Sequence, residues 1–265
     1  MDFIPKDRIL KINPHTMEEV RKEINLDNPG EMKKAVEILK EWLQQQPHIK
    51  KKDFTDHYFE ITVVTAKGSV EVAKRQIDSS CTMRTILPHF YGVKDFTKDL
   101  SNYGEYMKAH DYVASYHCVF DIRSANVSDI VANLNPIDLR NIITIIVECY
   151  GLRIKGLHIV SNSRLVDSLI AVLKTFLKPK LIQRLHHHKN CDSLVQFIAK
   201  DYLPEDLGGT EPSIKQIRQV LHGEEFMAYL HDMNNANTDE SLRSKCTFNE
   251  EYAGMPGTFR ALSVD

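Results

Sequence analysis

Apolar positions recur with two different periods in the second half of the chain. Residues 151–160, GLRIKGLHIV, form a short run with β-branched side chains at alternate positions, which predicts a buried strand. Residues 163–177 carry apolar side chains three and four positions apart, which predicts a helix with one wide apolar face. We expect Ser161 or Ser163 to be the N-cap of this helix, and Pro179 stands just beyond its end.

The first ninety or so residues predict mainly helices. One helix is expected between the Asn28-Pro29 cap and Pro47, and another from Val70 onward. The segment between them, DHYFEITVVTAKGS, has the propensity of a strand, because the five residues from Ile61 are all β-branched.

Strands and helices alternate after residue 111. The segment YVASYHCVFDI predicts a buried strand, and Asn135-Pro136 is expected to cap a helix that ends at Gly151. The order strand, helix, strand, helix favours crossover βαβ units and a mostly parallel sheet. Residues 213–230 predict a further helix, and the polar segment 233–246 is expected to wrap the surface.

The composition is that of an ordinary soluble globular protein, with 42% hydrophobic and 26% charged residues. A net charge of −2 gives no overall attraction to nucleic acid or to anionic membranes, so we expect no nucleic-acid partner. Five scattered cysteines without CxxC pairs, and no signal peptide, favour reduced thiols in the cytoplasm. No apolar run reaches the ~20 residues that span a bilayer, so any membrane association is expected to be peripheral.

Three segments carry a resemblance to a known family. They are TMRTILPHFYG, the strand and helix of residues 151–177, and the closing segment from Leu203-Pro204 to Gly208-Gly209. This ordered set resembles the CRAL-TRIO (Sec14-like) family of lipid-binding proteins, and the ending GMPGTFRALSVD resembles the tail of its insect members. The resemblance implies an α/β fold in which a helical N-terminal domain precedes a mostly parallel sheet with a lid helix. It also implies a helix, not a strand, for the segment that contains Ile61.

The resemblance implies three parts of the chain: a helical domain over 1–91, a lipid-binding domain over 92–211, and a C-terminal helix and tail over 212–265. The family has a much longer segment before the strand that ends in Phe-Asp, whereas only Gly92 to Cys118 stand there in this chain. A missing central strand leaves backbone groups unpaired, so the sheet is expected to be shortened or re-paired.

Two pairs of cations are candidates for binding a phosphorylated headgroup. Arg153 and Lys155 are two apart and share one face of a strand, while Lys180 and Arg184 are four apart and share one face of a helix. The resemblance implies that all four bind phosphoinositides, and His117 stands at a fifth position that is basic in the family's tocopherol carriers. The alternative is that these residues are solvated surface charges.

A second candidate site is an apolar pocket beneath the lid helix. The positions that match the family's pocket wall are Tyr116, Phe120, Leu134, Ile142, Ile146, Leu157, Val166 and Leu169. All are apolar or aromatic, as a lipid cavity requires, but a solid core would require the same.

Other chemistry finds little support in the sequence. Four residues stand between Cys118 and Arg123 instead of the five of a phosphatase loop, so Cys118 is interpreted as a small buried hydrophobe. The consecutive His186, His187 and His188 alternate between faces on a strand and are not expected to share one metal. Gly208-Gly209 does not open a helix after a strand, which argues against a nucleotide loop.

The resemblance implies a monomeric, non-enzymatic carrier of one hydrophobic lipid, such as a tocopherol, retinoid or carotenoid, with no cofactor. Phosphoinositide-containing membranes are the expected partner. A cargo-free interaction module with a degenerate cavity is the alternative, because the sheet is shortened. A hydrolase or reductase is poorly supported, since neither a nucleophile elbow nor a phosphate loop is present.

Overall fold

The structure is a computed structural model that describes residues 14–28, 30–91, 96–221 and 223–243. The ending GMPGTFRALSVD and Pro29 lie outside the described residues. Helices form the first part of the chain, as predicted. They are α1 (Pro14–Glu23), α2 (Glu31–Gln44), α3 (Asp56–Thr65), α4 (Val70–Ile86) and α5 (Phe96–His110).

The segment whose propensity favours a strand is the helix α3, as the resemblance implied. Thr55 caps it by accepting a hydrogen bond from the backbone N–H of Tyr58 at 3.1 Å. Ile61, Val63 and Val64 are completely buried, and a helix that is apolar on every side is stable when neighbouring helices surround it. Tertiary packing therefore overrides the β-propensity of this segment.

The α2 helix begins two residues later than the expected Asn28-Pro29 cap. Its N-cap is Gly30, whose φ of +86° lies in the left-handed region that glycine adopts without strain. The helix ends at Gln44, before Pro47, as predicted.

Three parallel strands form one sheet in the order β1 (Tyr116–Asp121), β2 (Ile154–Val160), β3 (Leu185–His188). The connection from β1 to β2 contains α6 (Val127–Asn133) and α7 (Pro136–Thr144), which continues as a π-helical turn over Ile145–Cys149. The connection from β2 to β3 contains α8 (Val166–Phe176) and α9 (Pro179–Ile182). The predicted α/β class with a parallel sheet is confirmed. The β1 strand is half-buried instead of buried, because it is an edge strand among the described residues.

The predicted N-cap of α7 is confirmed, and that of α8 is not. The Asn135 side chain accepts hydrogen bonds from the N–H groups of Ile137 and Asp138, as expected of the N-cap of α7. The prediction that Ser161 or Ser163 caps α8 is wrong, because its N-cap is Leu165. Each serine hydroxyl instead accepts from the N–H two residues further on, which stabilises a turn before the helix starts.

Short 3₁₀ turns between residues 191 and 207 cover one face of the sheet. Val160 packs there against Cys191, Leu194, Leu203 and Leu207. A Cβ at Gly209 would lie 1.8 Å from the carbonyl oxygen of Leu203, so only glycine fits the closing segment at that position.

The C-terminal part departs from the single helix predicted over 213–230. It forms two helices, α10 (Ile214–Leu221) and α11 (Glu224–Met233), and Gly223 is the N-cap of the second. The polar tail then lies on α4, where the backbone N–H of Thr238 donates to Thr85 Oγ1 at 2.8 Å.

The described residues contain two large apolar clusters. The first joins α1 to α4 with α5 and α11, through residues such as Phe59, Tyr112 and Met233. The second lies between α4, α7 and the π turn, around Met83, Phe90 and Ile145, whose side chains are nearly inaccessible to solvent. Among the described residues, no single helix is long and apolar enough to cross a membrane; by length and composition alone, the pair Val127–Asn133 and Pro136–Cys149 meets that test with an 87° bend.

Candidate functional site

Three of the four predicted headgroup cations lie together at the amino edge of the sheet. The backbone N–H of Tyr116 donates to the carbonyl of Arg153 at 2.7 Å, which places the start of β1 beside that of β2. The Arg184 guanidinium donates to the carbonyl of Ile154. Lys155 follows directly along β2, so the strand pairing brings Arg153, Lys155 and Arg184 into one neighbourhood.

The four cations differ in how far they are already engaged. Arg153 pairs with Glu23 at 3.2 Å, and Arg184 is half-buried on its carbonyl. Lys155 and Lys180 are exposed and form no ion pair with any residue that the structure describes. Lys180 lies on α9, which ends at Ile182, so Arg184 lies beyond this short helix, and the prediction that the two cations share one face of a helix is wrong. Lys155 and Lys180 are therefore the two side chains free to meet an anionic ligand.

His117 belongs to a row of imidazoles that sequence reasoning did not find. His117 Nδ1 lies 3.0 Å from His158 Nε2, and His158 Nδ1 lies 3.0 Å from His188 Nε2. The row ends at the hydroxyl of Ser193, 2.6 Å from His188 Nδ1. The alternation of side chains along the strands could have indicated it. His117, His158 and His188 occupy the same face of three parallel strands, as does His186.

Burial and mutual repulsion keep these imidazoles neutral. Burial, with the neighbouring His188, His117 and His186, lowers the pKa of His158 to about 4. Burial also lowers the pKa of His117, and Lys155 adds to that shift. Among the described residues no group of three ligands suits a metal ion, and His187 lies on the other face of β3, as the alternation predicted.

The predicted pocket residues fall into separate groups. Phe120 and Leu157 share the sheet face opposite the imidazoles, and both remain partly exposed. Val166 and Leu169 are the buried residues of α8. Leu134 ends α6 and is half-buried.

The remaining pocket residues belong to the second apolar cluster. Tyr116, Ile142 and Ile146 pack there between α4 and α7, and Ile142 is buried. The structure therefore divides the eight predicted positions between the sheet, α8 and this cluster.

The α8 helix is only half covered by the rest of the molecule. It packs against α6 and α7. Apolar side chains that stay partly exposed on it or beside it are Leu165, Ile170, Val172, Leu173, Phe176 and Leu177. A helix in a permanent core would bury such a stripe, so this face is open to an apolar partner.

The cysteine that invited comparison with a phosphatase is not activated. Burial raises the pKa of Cys118 to about 11, so the thiol is protonated at neutral pH. Arg123 does not face it but pairs with Asp121 through two hydrogen bonds, of 2.8 and 2.7 Å.

Comparison with known proteins places the chain in a family. A model of the CRAL/TRIO domain matches residues 70–209, which is more than half of the chain. The chain belongs to the CRAL/TRIO family. Its helices around a small parallel sheet are the Sec14-like α/β architecture of that family.

Similar segments occur in several CRAL/TRIO relatives. An alpha-tocopherol transfer protein-like protein of Mus musculus is 31% identical over 80 residues, which are 30% of this chain and 23% of the relative. Clavesin-1 of Xenopus laevis is 35% identical over 82 residues, covering 31% of this chain and 25% of the relative. Clavesin-1 of Pongo abelii is 29% identical over 126 residues, covering 44% and 36%. The matched segments thus span between about a quarter and a third of these relatives.

Proposed function

We propose that this CRAL/TRIO protein holds one hydrophobic small molecule beneath α8 and exchanges it at membranes without covalent chemistry. The half-covered apolar stripe of α8 is the observation that carries the proposal. Partly exposed Phe120 and Leu157 on the sheet supply further apolar surface for such a ligand. A relative is named for tocopherol transfer, which supports a lipid of the tocopherol, retinoid or carotenoid kind.

Membrane contact is the second part of the proposal. Several large apolar side chains of α8 contribute several kcal/mol on entering a bilayer surface, at roughly 25 cal/mol per Å², which suffices for reversible docking. Arg153, Lys155, Lys180 and Arg184 would bind a phosphoinositide headgroup at the amino edge of the sheet, because several donors from different directions suit a multiply charged phosphate. The protein would act as a cytoplasmic monomer, with 92–211 as the lipid-binding part between 1–91 and 212–265.

One observation favours a second function, a cargo-free module that docks on membranes or proteins. The sheet has three strands among the described residues, and its edge strand β1 is only half-buried. A smaller sheet offers less wall for a ligand pocket, and such pockets have volumes of roughly 300 Å³ or more.

Native mass spectrometry of the purified chain, followed by solvent extraction, separates the two functions. A carrier shows a stoichiometric lipid adduct, either as purified or after incubation with tocopherol, retinol or phosphatidylcholine. A mass that stays free of adduct with all three lipids contradicts the carrier and leaves the docking module.

Vesicle flotation tests the headgroup site separately. The double variant Lys155→Ala/Lys180→Ala removes two exposed cations and should weaken binding to vesicles containing phosphatidylinositol bisphosphate by about thirtyfold, at ~1 kcal/mol per cation. Lys33→Ala/Lys34→Ala on α2 is the matched control, with the same loss of charge on an exposed helix face. Equal weakening by both variants would show that only net charge matters, and would remove the assignment to these positions.

A further inference from the structure

The row of imidazoles has one partly exposed end, at His117. His117 is half-buried, whereas His158 is completely buried and only 3% of His188 is exposed. The contact inside the row uses Nδ1 of His117, and no residue that the structure describes hydrogen-bonds its Nε2. His117 is therefore the ring through which a proton can enter the row.

A proton on Nε2 of His117 breaks none of the contacts in the row. In the direction that starts at His117, its Nδ1–H donates to His158 Nε2, and His158 Nδ1–H donates to His188 Nε2. His188 Nδ1–H then donates to the hydroxyl of Ser193. Nε2 of His117 is left as an acceptor, and protonation turns it into a donor. A second proton on His158 or His188 would instead remove an acceptor that its neighbour uses.

A bulge in β2 places Lys155 beside His117. Tyr116 pairs with Ile154 and His117 pairs with Gly156, so Lys155 is the extra residue between two successive pairs. Such a bulge changes the direction of a side chain and interrupts the alternation between the faces of the sheet. Lys155 is exposed, and its charge acts on the His117 ring. The bulge therefore brings a cation of the proposed headgroup site next to the partly exposed end of the row.

The groups around His117 keep its ring neutral in the absence of an anion. Burial lowers the pKa of His117, and Lys155 and His186 lower it further. His158, which the Nδ1 atom of His117 contacts, has a pKa of about 4 and is neutral at pH 6–7.5. All of these groups are neutral or positive, so a bound anion would reverse the balance and favour the protonated ring of His117.

We propose that His117 takes up a proton when a phosphate monoester binds beside Lys155, so that binding of the headgroup strengthens as the pH falls from 7.5 to 6. This inference rests on the proposed function and adds to it a dependence on protons. The charged His117 donates from Nε2 to a phosphate oxygen, in a charge-assisted hydrogen bond, while its Nδ1–H stays bonded to His158. An anionic membrane surface attracts protons as it attracts other cations, so docking itself favours this state.

The pH dependence of vesicle binding tests the proposal. Flotation of the full chain with vesicles containing phosphatidylinositol bisphosphate is measured at pH 6.0 and 7.5, and the two affinities give an acid-to-neutral ratio for each protein. The phosphates titrate near pH 6 themselves, which affects all proteins alike. One proton changes an affinity by at most about tenfold per pH unit, so the ratio of wild type should exceed that of His117→Gln by about three- to tenfold. His117→Lys, which is charged at both pH values, should have the same ratio as His117→Gln.

A second imidazole provides the matched control. His186→Gln removes a half-buried ring on the same face of the sheet and should keep the wild-type ratio. Soluble inositol trisphosphate separates the two sources of a phosphate monoester. An excess of wild type over His117→Gln with this probe as well shows that a free phosphate suffices, and an excess on vesicles alone identifies the lipid headgroup at a membrane; both support the proton uptake.

One measurement needs no variant and so survives if His117→Gln does not fold. The Cε1–H resonance of His117 in wild type at pH 7 should move towards that of a protonated ring when dioctanoyl phosphatidylinositol bisphosphate is added. A resonance that stays in place while the lipid binds overturns the proposal.

The outcomes separate this inference from the headgroup site itself. Equal ratios in wild type and His117→Gln, or loss of the excess in His186→Gln, overturn proton uptake by His117. The headgroup site still stands in that case if Lys155→Ala/Lys180→Ala weakens vesicle binding. If this double variant binds as wild type does, the headgroup site and the proton uptake fail together.

Discussion

Nδ1 of His158 lies 3.0 Å from Nε2 of His188, so a hydrogen bond joins two imidazoles on neighbouring parallel strands. His117 continues the row on one side and Ser193 ends it on the other. While the rings are neutral, each ring can donate from one nitrogen and accept at the other, so all contacts in the row are satisfied when every ring donates in the same direction. A protonated ring has two donors and no acceptor, so protonation of His158 breaks one of these contacts. The three strands are therefore joined by contacts that depend on protonation.

Acid should destabilise the fold through His158. Its pKa is about 4 in the folded state, against ≈ 6.5 when unfolded, so the unfolded chain binds more protons between these values. The stability that neutral His158 contributes is fully present above pH 6.5 and is lost as the pH falls towards 4. The free energy of unfolding should decrease by about 1–3 kcal/mol over this range. Urea unfolding at pH 7.5 and 5 should show this loss in wild type and a smaller loss in His158→Gln. The exposed His89→Gln is the control and should behave as wild type.

Gly156→Ala should disrupt the row of imidazoles, because the added methyl group would clash with two of its rings. A Cβ there would lie 2.5 Å from His158 Nε2 and 2.6 Å from His117 Nδ1, so both rings must move. We expect a loss of about 1–3 kcal/mol in the free energy of unfolding, as for other overpacked sites. His117→Ala/Gly156→Ala should cost less than the sum of its single variants, because the first change removes one of the two clashes. Strict additivity would mean that the rings do not oppose the added methyl group.

The sequence predicted the order and type of the helices and strands better than the residues at which the helices begin. Alternation and helical spacing identified β2 and α8, and their order along the chain identified the parallel sheet. The resemblance corrected α3, where packing on all sides overrides β-branched propensity. The predicted N-caps of α2 and α8 are wrong. A left-handed glycine is the N-cap of α2, and two serine turns precede α8. Such local hydrogen bonds compete with the expected caps and do not change the hydrophobic periodicity from which a helix is predicted.

For the candidate sites too, some contacts follow from the order of the strands and helices, and others do not. The βαβ order predicts that the segment after α9 returns beside β2, and the Arg184 guanidinium does donate to the carbonyl of Ile154 on that strand. That these cations bind a headgroup stays a prediction. The imidazole row and the buried Arg84–Glu105 ion pair depend on which residues face each other across elements far apart in sequence. Arg84 and Glu105 are 21 positions apart and His117 and His158 are 41 apart, and no local pattern connects them.

Lys108 should make stability rise with pH just above neutrality. Burial lowers its pKa to about 7, although its amine donates to Gln76 Oε1 and to the carbonyl of Tyr150. The unfolded chain keeps its proton to about pH 10.4, so the free energy of unfolding should increase by about 1–2 kcal/mol between pH 7 and 8.5. Above that range the raised pKa of Cys149 acts in the opposite direction. Urea unfolding of Lys108→Met should lack the increase; an equal slope in both proteins would contradict the assignment.

Asp78 on α4 should control how firmly the C-terminal tail is held. Arg243 donates to both of its carboxylate oxygens, at 2.7 and 2.9 Å, and only 6% of the arginine side chain is exposed. Asp78→Asn leaves that guanidinium with a weaker partner, and we expect a loss of about 2 kcal/mol, as for buried charged hydrogen bonds. Amide exchange at Thr238, whose N–H bonds to α4, should accelerate. Glu71→Gln removes an exposed carboxylate from the same helix and should change neither quantity measurably. Exchange at Thr238 that is unchanged in Asp78→Asn would show that the tail is held by its backbone contacts instead.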